Sequence, residues 1–347
     1  MSDVASSSPS RPAPGVIADE LTGSVLQILT SPRVGAPWTG TGTGFFFAFG
    51  EPPDQVLAVV TNKHVVEGAA VMQIRLSRAN TDNSRSSTID TIDVPLDHSK
   101  LCPHPSPDVD LIALPVAGVI DLLIRRNGVR PWFRMFEARH VPTADVVQSM
   151  SPIEDILMMG FPAGISDPAN NLPIVRRGIT ATPYRAEYDN QAQFAVDVAT
   201  FRGSSGSPVL ILNEGGLTVT RDGVALGGTR FLLLGVVFAS FRTLANGEVV
   251  ARRVPTAVGD PVQTEHMLHL GLCVKSRMIL ELEPAVRARL LEEEREDARG
   301  ASLAAVDYTA TNPFSIGITV TASETLPEPI SSESGADAAG PAGPAST

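Results

Sequence analysis

The chain has 347 residues, 43% hydrophobic and 19% charged, with a formal charge of −11 from 27 Lys and Arg against 38 Asp and Glu. That composition suits a globular protein of one or two domains, and its acidic balance argues against a nucleic-acid partner. No apolar run reaches the ~18 residues of a membrane span, so no membrane partner is expected, and two cysteines, Cys102 and Cys273, cannot build a disulfide framework.

The N-terminus, MSDVASSSPSRPAPG, lacks the basic start and apolar core of a secretory leader. With so few cysteines, this favours a reducing, cytoplasmic setting. Residues 1–18 are too polar and Pro-rich to pack, and disorder is expected there. Short apolar runs bounded by Gly, Pro, Asn or Asp then follow: Ser24–Thr30, Gly42–Phe49, Val56–Thr61, Val71–Leu76, Val109–Val116, Asp155–Phe161, Gly178–Thr182, Gln193–Ala199, Pro208–Leu212 and Phe231–Ala239. Many short strands with turn signals indicate an all-β sandwich or barrel. Regular alternation with long helices is missing, which argues against a doubly wound sheet.

Helical spacing is confined to two places. Ala117–Arg126 groups Val119, Ile120, Leu122 and Leu123, and Gly128 is placed to end it. Ser276–Arg299 is rich in Leu, Glu and Arg, with arginines and glutamates spaced to pair along one face. Pro284 should kink that helix or restart it. Residues 301–347 then hold five acids and no Lys or Arg, and with −1 on residues 1–19 and −2 on residues 276–300 this leaves −3 for residues 20–275. The end of this tail, 324–347, is Pro-, Gly-, Ala- and Ser-rich and is expected to be disordered. Phe314–Val320 is the one segment in it suited to pair as a strand. The helix is read as a cap across the domain, and its charged face or the acidic tail is where a protein partner would dock.

Three short segments carry groups suited to chemistry. Gly203-Ser204-Ser205-Gly206-Ser207-Pro208 is a tight turn between apolar runs, in which glycines let the backbone bend and aim amides at a developing negative charge. Alone, it is equally well an ordinary hairpin turn. Thr61-Asn62-Lys63-His64-Val65-Val66 puts a histidine at the end of an apolar strand, with a turn of helix to follow. Gly40–Gly44 sets a permissive backbone opposite it. Asp110 opens the run Leu111–Leu114, a costly place for a carboxylate without a partner. Asp108 would share its face in an extended segment. Nucleophilic catalysis needs a hydroxyl, an adjacent base and a group that orients the base. The order His, Asp, Ser along the chain is that of the chymotrypsin arrangement.

With those residues in view, the chain resembles the bacterial trypsin-like serine peptidases of the chymotrypsin fold, in particular an intracellular subgroup. The resemblance rests on GTGFFF (42–47), TNKHVV (61–66), DVDLIAL (108–114), MMGFPAG (158–164), NNLPIVRRGITAT (170–182) and FRGSSGSPV (201–209), and covers about residues 20–275. It implies two six-stranded antiparallel β-barrels, at 19–140 and 141–275, followed by the helix at 276–300 and the tail at 301–347. It further implies Ser205 as nucleophile, His64 as general base and acid, Asp110 as the orienting carboxylate, and the amides of Gly203 and Ser205 as the oxyanion hole.

The sequence departs from digestive relatives at Ser204, where they carry an aspartate that pairs with a newly cut N-terminus. An uncharged serine cannot make that pair, so activation of that kind is not expected. The base of the primary pocket falls near Ala199 and Thr200, with Asp197 close by. The strand 235–240 should form its wall and bind substrate backbone by strand addition, and Phe238, Ala239 and Ser240 suggest a small or apolar P1 residue. His98, His104, His140, His266 and His269 show no metal-ligand spacing, and Gly40–Gly44 lacks the setting of a dinucleotide fingerprint. No metal or cofactor is expected. The expected partner is a protein or peptide substrate. The alternatives are a catalytically silent binding module on the same fold, or an esterase using the same triad.

Overall fold

The computed structural model describes residues 16–214, 217–220, 223–226, 229–243, 249–253, 266–304 and 320–322. A short helix α1 (Val16–Leu21) leads into strands β1 (Val25–Ser31), β2 (Gly40–Phe49) and β3 (Val56–Thr61), a single-turn helix α2 (Lys63–Val66), and strands β4 (Val71–Ala79), β5 (Arg85–Pro95), β6 (Cys102–Pro103) and β7 (Ile112–Pro115). Helix α3 (Ala117–Asn127), the two-residue strands β8 (Pro131–Trp132) and β9 (Phe136–Glu137) and helix α4 (Ala144–Ser149) form the crossover. Next come β10 (Asp155–Gly160), β11 (Ile174–Thr180), β12 (Gln193–Asp197), β13 (Pro208–Glu214), β14 (Leu217–Thr220), β15 (Gly223–Leu226), β16 (Thr229–Thr243), β17 (Val249–Arg253) and β18 (His266–Lys275). Helices α5 (Arg277–Leu280) and α6 (Glu283–Ala304) and strand β19 (Val320–Ala322) complete the described chain.

The strands form two main sheets. The first runs β19-β5-β4-β1-β2-β3-β7-β6, with β8 on β4 and β9 on β2. The second runs β13-β10-β11-β12-β18-β16 and closes on itself because β13 also pairs with β16, and β17 adds to β16 outside the ring. The protein is therefore mostly β, with one closed six-stranded barrel. In the first sheet, expected to form the other barrel, no ladder joins β5 to β6 or β7 among the described residues. Its pairing reaches β6 through Cys102 and Pro103.

Side-chain alternation builds the cores. On β2, Phe46 joins Ile28, Val59, Met72 and Ile74 inside the first sheet. Phe45, Phe47 and Phe49 face the other way, as a period of two requires. They meet Phe136, Phe161, Leu210, Leu233, Val274, Ile279, Leu282 and Val286 in a core shared by both sheets and the C-terminal helices. The closed barrel holds its own core of Ile156, Met158, Phe194, Val196, Val209, Ile211, Val237 and Cys273. Both cysteines are free and buried.

Helix α3 ends as expected, with Gly128 at φ 67° and its amide donating to Ile124 O. The long C-terminal helix breaks into α5 and α6, and Pro284 lies in the first turn of α6, where its missing N–H costs nothing. The expected disorder of 1–18 needs correction at residues 16–18, and the helix expected to end at 300 and the strand expected at 314–320 also differ in extent. Residues 16–18 belong to α1, whose Leu21 and Ile17 pack into the shared core. Residues 301–304 continue α6. Val320–Ala322 pairs antiparallel with Asp90–Ile92 of β5. Residues 1–15, 314–319 and 323–347 lie outside the described residues. Among the described residues no helix is long and apolar enough to cross a membrane.

Candidate active site

Strand β3 delivers His64 to the boundary between the two sheets. Val65 and Val66 of α2 are buried in the first-sheet core, which anchors the turn that carries the imidazole. Asp110 lies at the end of a turn before β7 and is only 2% exposed. His104, buried at the start of the same loop, accepts the Ser106 amide on Nδ1 at 3.1 Å and donates its own amide to Leu111 O at 2.9 Å. Burial holds its imidazole below the usual histidine range, against the pull of Glu281. Lys63 Nζ donates to Ser106 O at 2.9 Å from the other side. Asp108, expected on the face of Asp110, is exposed, because the segment turns there instead of extending.

The buried carboxylate has its partners. His64 Nδ1 lies 2.5 Å from Asp110 Oδ2, and the His64 amide donates to Oδ1 at 3.3 Å. Asn62 Nδ2 donates to the Asp110 carbonyl at 2.6 Å. His64 Nε2 stands 2.9 Å from Ser205 Oγ. A proton on Nδ1, held by the carboxylate, leaves Nε2 as the acceptor facing the hydroxyl.

Ser205 is fully buried in a turn with positive φ at Gly203 (83°) and Gly206 (85°). A Cβ at Gly203 would collide with Phe161 O, and one at Gly206 with Thr43 O. The amides of Ser204, Gly206 and Ser207 donate to Phe201 O, Val237 O and Ser204 O at 2.9, 2.8 and 3.0 Å. Ser204 is fully buried, and its Oγ accepts the Phe201 amide at 3.1 Å, so the two residues bind reciprocally. The Arg202 carbonyl accepts the amide of Ala163. Carbonyl and amide point to opposite sides of a trans peptide, so this bond turns the Gly203 N–H away from the 162–164 turn. Ala163 holds φ 53° to do it, a strained conformation that costs a non-glycine residue about 1–2 kcal/mol.

The residues expected around the primary pocket are distributed as follows. Thr200 is buried, its Oγ1 has no hydrogen-bond partner among the described residues, and its Cγ2 approaches Gly271. Ala199 is half-buried beside it. Asp197 is exposed on β12 and points away from the buried face that holds Val196. Ser240 pairs with Gly271, and its Oγ accepts Arg242 Nε at 3.3 Å. The Ala239 side chain packs with Ala195 and Leu272, and Phe238 sits at a bulge between Val237 and Ala239. The edge of β16 at Ala239–Thr243 is paired with β17, which meets the stretch expected to take a substrate strand.

Sequence reasoning passed over Thr43, Asn62, Ala163 and Gly271. Asn62 lies within the TNKHVV motif and Thr43 within GTGTG, so position alone marked them; nothing in the sequence pointed to Ala163.

A profile of the trypsin-like peptidase domain matches residues 42–218, just over half of the chain and a span that includes His64, Asp110 and Ser205. No curated protein matches the chain.

Proposed function

The chain belongs to the trypsin-like peptidase domain family, and from that premise we propose that it is a serine endopeptidase. The observation that carries the reading is the continuous contact from Asp110 through His64 to Ser205, at 2.5 and 2.9 Å. Ser205 Oγ attacks the scissile carbonyl carbon while its proton passes to His64 Nε2. The carbonyl oxygen becomes an oxyanion held by the amides of Gly203 and Ser205. The C–N bond then breaks, the amine takes the proton from Nε2, and an acyl-enzyme remains. Water, losing a proton to Nε2, attacks the ester, and Ser205 is regenerated. Asp110 fixes the tautomer and stabilises the imidazolium throughout.

Two finer points belong to the same reading. The nucleophile turn needs no new N-terminus, because Ser204 is neutral and is held by Phe201 rather than by an ion pair. The P1 side chain is small or apolar: Thr200 and Val196 crowd the bare Gly271, and Asp197, the acid close by in the sequence, is exposed on β12. One observation favours the silent binding module instead, namely that β17 pairs along the substrate-facing edge of β16.

Fluorophosphonate labelling separates the two. The folded wild type is expected to label at Ser205 and to cleave members of a peptide library, and Ser205→Ala is expected to do neither. A folded wild type that takes no label would favour the binding module.

A further inference from the structure

Thr43 is a residue of the first sheet whose hydrogen bonds all serve the nucleophile turn or its supports. It is fully buried on β2. Its Oγ1 donates to Gly203 O at 2.7 Å and accepts the Phe161 amide at 3.1 Å. Its own amide donates to Ser205 O at 2.8 Å. Its carbonyl accepts Thr61 Oγ1 at 2.7 Å, which ties it to the strand that leads to His64.

We propose that Thr43 is the positioning residue that sets the oxyanion hole, through its hydroxyl. The inference rests on the peptidase reading above. The carbonyls of Gly203 and Ser205 lie on either side of Ser204, and Thr43 holds both. The same hydroxyl holds Phe161, the root of the turn whose Ala163 amide orients the Arg202–Gly203 peptide. A hydroxyl has one proton and two lone pairs, and here one donor and one acceptor site are used in opposite directions. Removing it leaves a buried carbonyl and a buried amide unpaired, and both relax by rotating the peptides on which they sit. The bond from the Thr43 amide to Ser205 O is main-chain and survives substitution by Val, Ser or Ala. The Gly203–Ser204 peptide meets the Arg202–Gly203 peptide at the Gly203 α-carbon, and the 161–163 turn holds Arg202 O, so the lesion passes to the Gly203 donor while the Ser205–His64 contact is retained.

The test uses the full chain and a fluorogenic peptide amide that the wild type cleaves. Thr43→Val keeps the shape and deletes the hydroxyl; Thr43→Ser keeps the hydroxyl and deletes the methyl. Thr43→Val is expected to lower kcat about 10–100-fold, below the 10²–10³ of a wholly lost oxyanion donor, with KM within about twofold. Inhibition by a peptide boronic acid, which mimics the tetrahedral intermediate, should weaken by the same factor. Thr43→Ser should recover kcat to within a few-fold. If Thr43→Val does not fold, Thr43→Ala is read in the same way. An unchanged kcat, or a serine variant as impaired as the valine one, overturns the role of the hydroxyl. A wild type that neither cleaves nor labels overturns the peptidase reading itself, a result distinct from the first.

Discussion

Gly203 carries two constraints at once: φ is 83°, and the space where a Cβ would sit is filled by Phe161 O. A side chain there strains the backbone and pushes against a main-chain atom that cannot yield cheaply. Gly203→Ala should therefore rotate the amide assigned to the oxyanion and leave the Asp110–His64 contact in place. The expected outcome is a kcat lowered about 10²–10³-fold with KM changed little, measured on the same peptide substrate as the wild type, and a thermal midpoint lowered by several degrees because the strain destabilises the fold. At this scale much of the candidate site was legible. A serine between glycines, a histidine ending an apolar strand and an aspartate opening one are costly placements, and cost marks position. Thr43 and Ala163 were not legible as supports. Threonine is common in strands, and the left-handed conformation of Ala163 leaves no trace in residue type.

Elements were readable where apolar content and turn signals agreed. All ten runs expected as strands overlap strands in the structure, because each buries one face or both. Strand β5 escaped notice, since RSSTIDTIDVP is polar and only Ile89 and Ile92 among its apolar residues are buried. It exists because β4 offers it a long antiparallel ladder, a tertiary cause. Strand β17 escaped for a similar reason, and its position has consequences. It lies on Ala239–Thr243 in antiparallel register, on the strand expected to bind substrate by strand addition, and Ser205 is fully buried. A substrate extending past P2 then competes with the chain's own strand for the same backbone groups. Replacing residues 249–253 by a Gly-Ser run of equal length lowers the strand propensity of the competitor. KM for long peptides should fall several-fold, kcat should move little, and KM for a dipeptide ester should not change. Equal effects on short and long substrates would show that β17 does not compete.

At the scale of the whole molecule, the two sheets are joined by a core that no local reading could have assembled. Phe45, Phe136, Phe231 and Val286 meet there from four distant parts of the chain. His140 packs into this junction, its ring 4.7 Å from that of Phe231 and 6.3 Å from that of Phe136. Its Nδ1 accepts the Glu137 amide at 2.9 Å, which requires the ring to be unprotonated on that nitrogen. Burial, helped by the charge of Arg139, lowers its pKa from 6.5 to about 4. The unfolded chain thus binds a proton at a higher pH than the native one, and stability rises with pH across that window. The contribution is complete above about pH 6.5, shrinks as the pH falls, and is gone below about 4. After a discount for partial exposure it is on the order of 1–2 kcal/mol. Carboxylates titrate in the same range, so the wild type alone cannot report it. His140→Phe keeps the aromatic packing and removes the proton. Its urea midpoint should lie below that of the wild type at pH 7.5, because the Glu137 amide loses its acceptor, and the two midpoints should converge as the pH is lowered to 5. A gap of constant size would mean that the ring is already protonated, or never protonated, in both states. The junction of the two sheets would then owe its cohesion to apolar contact alone.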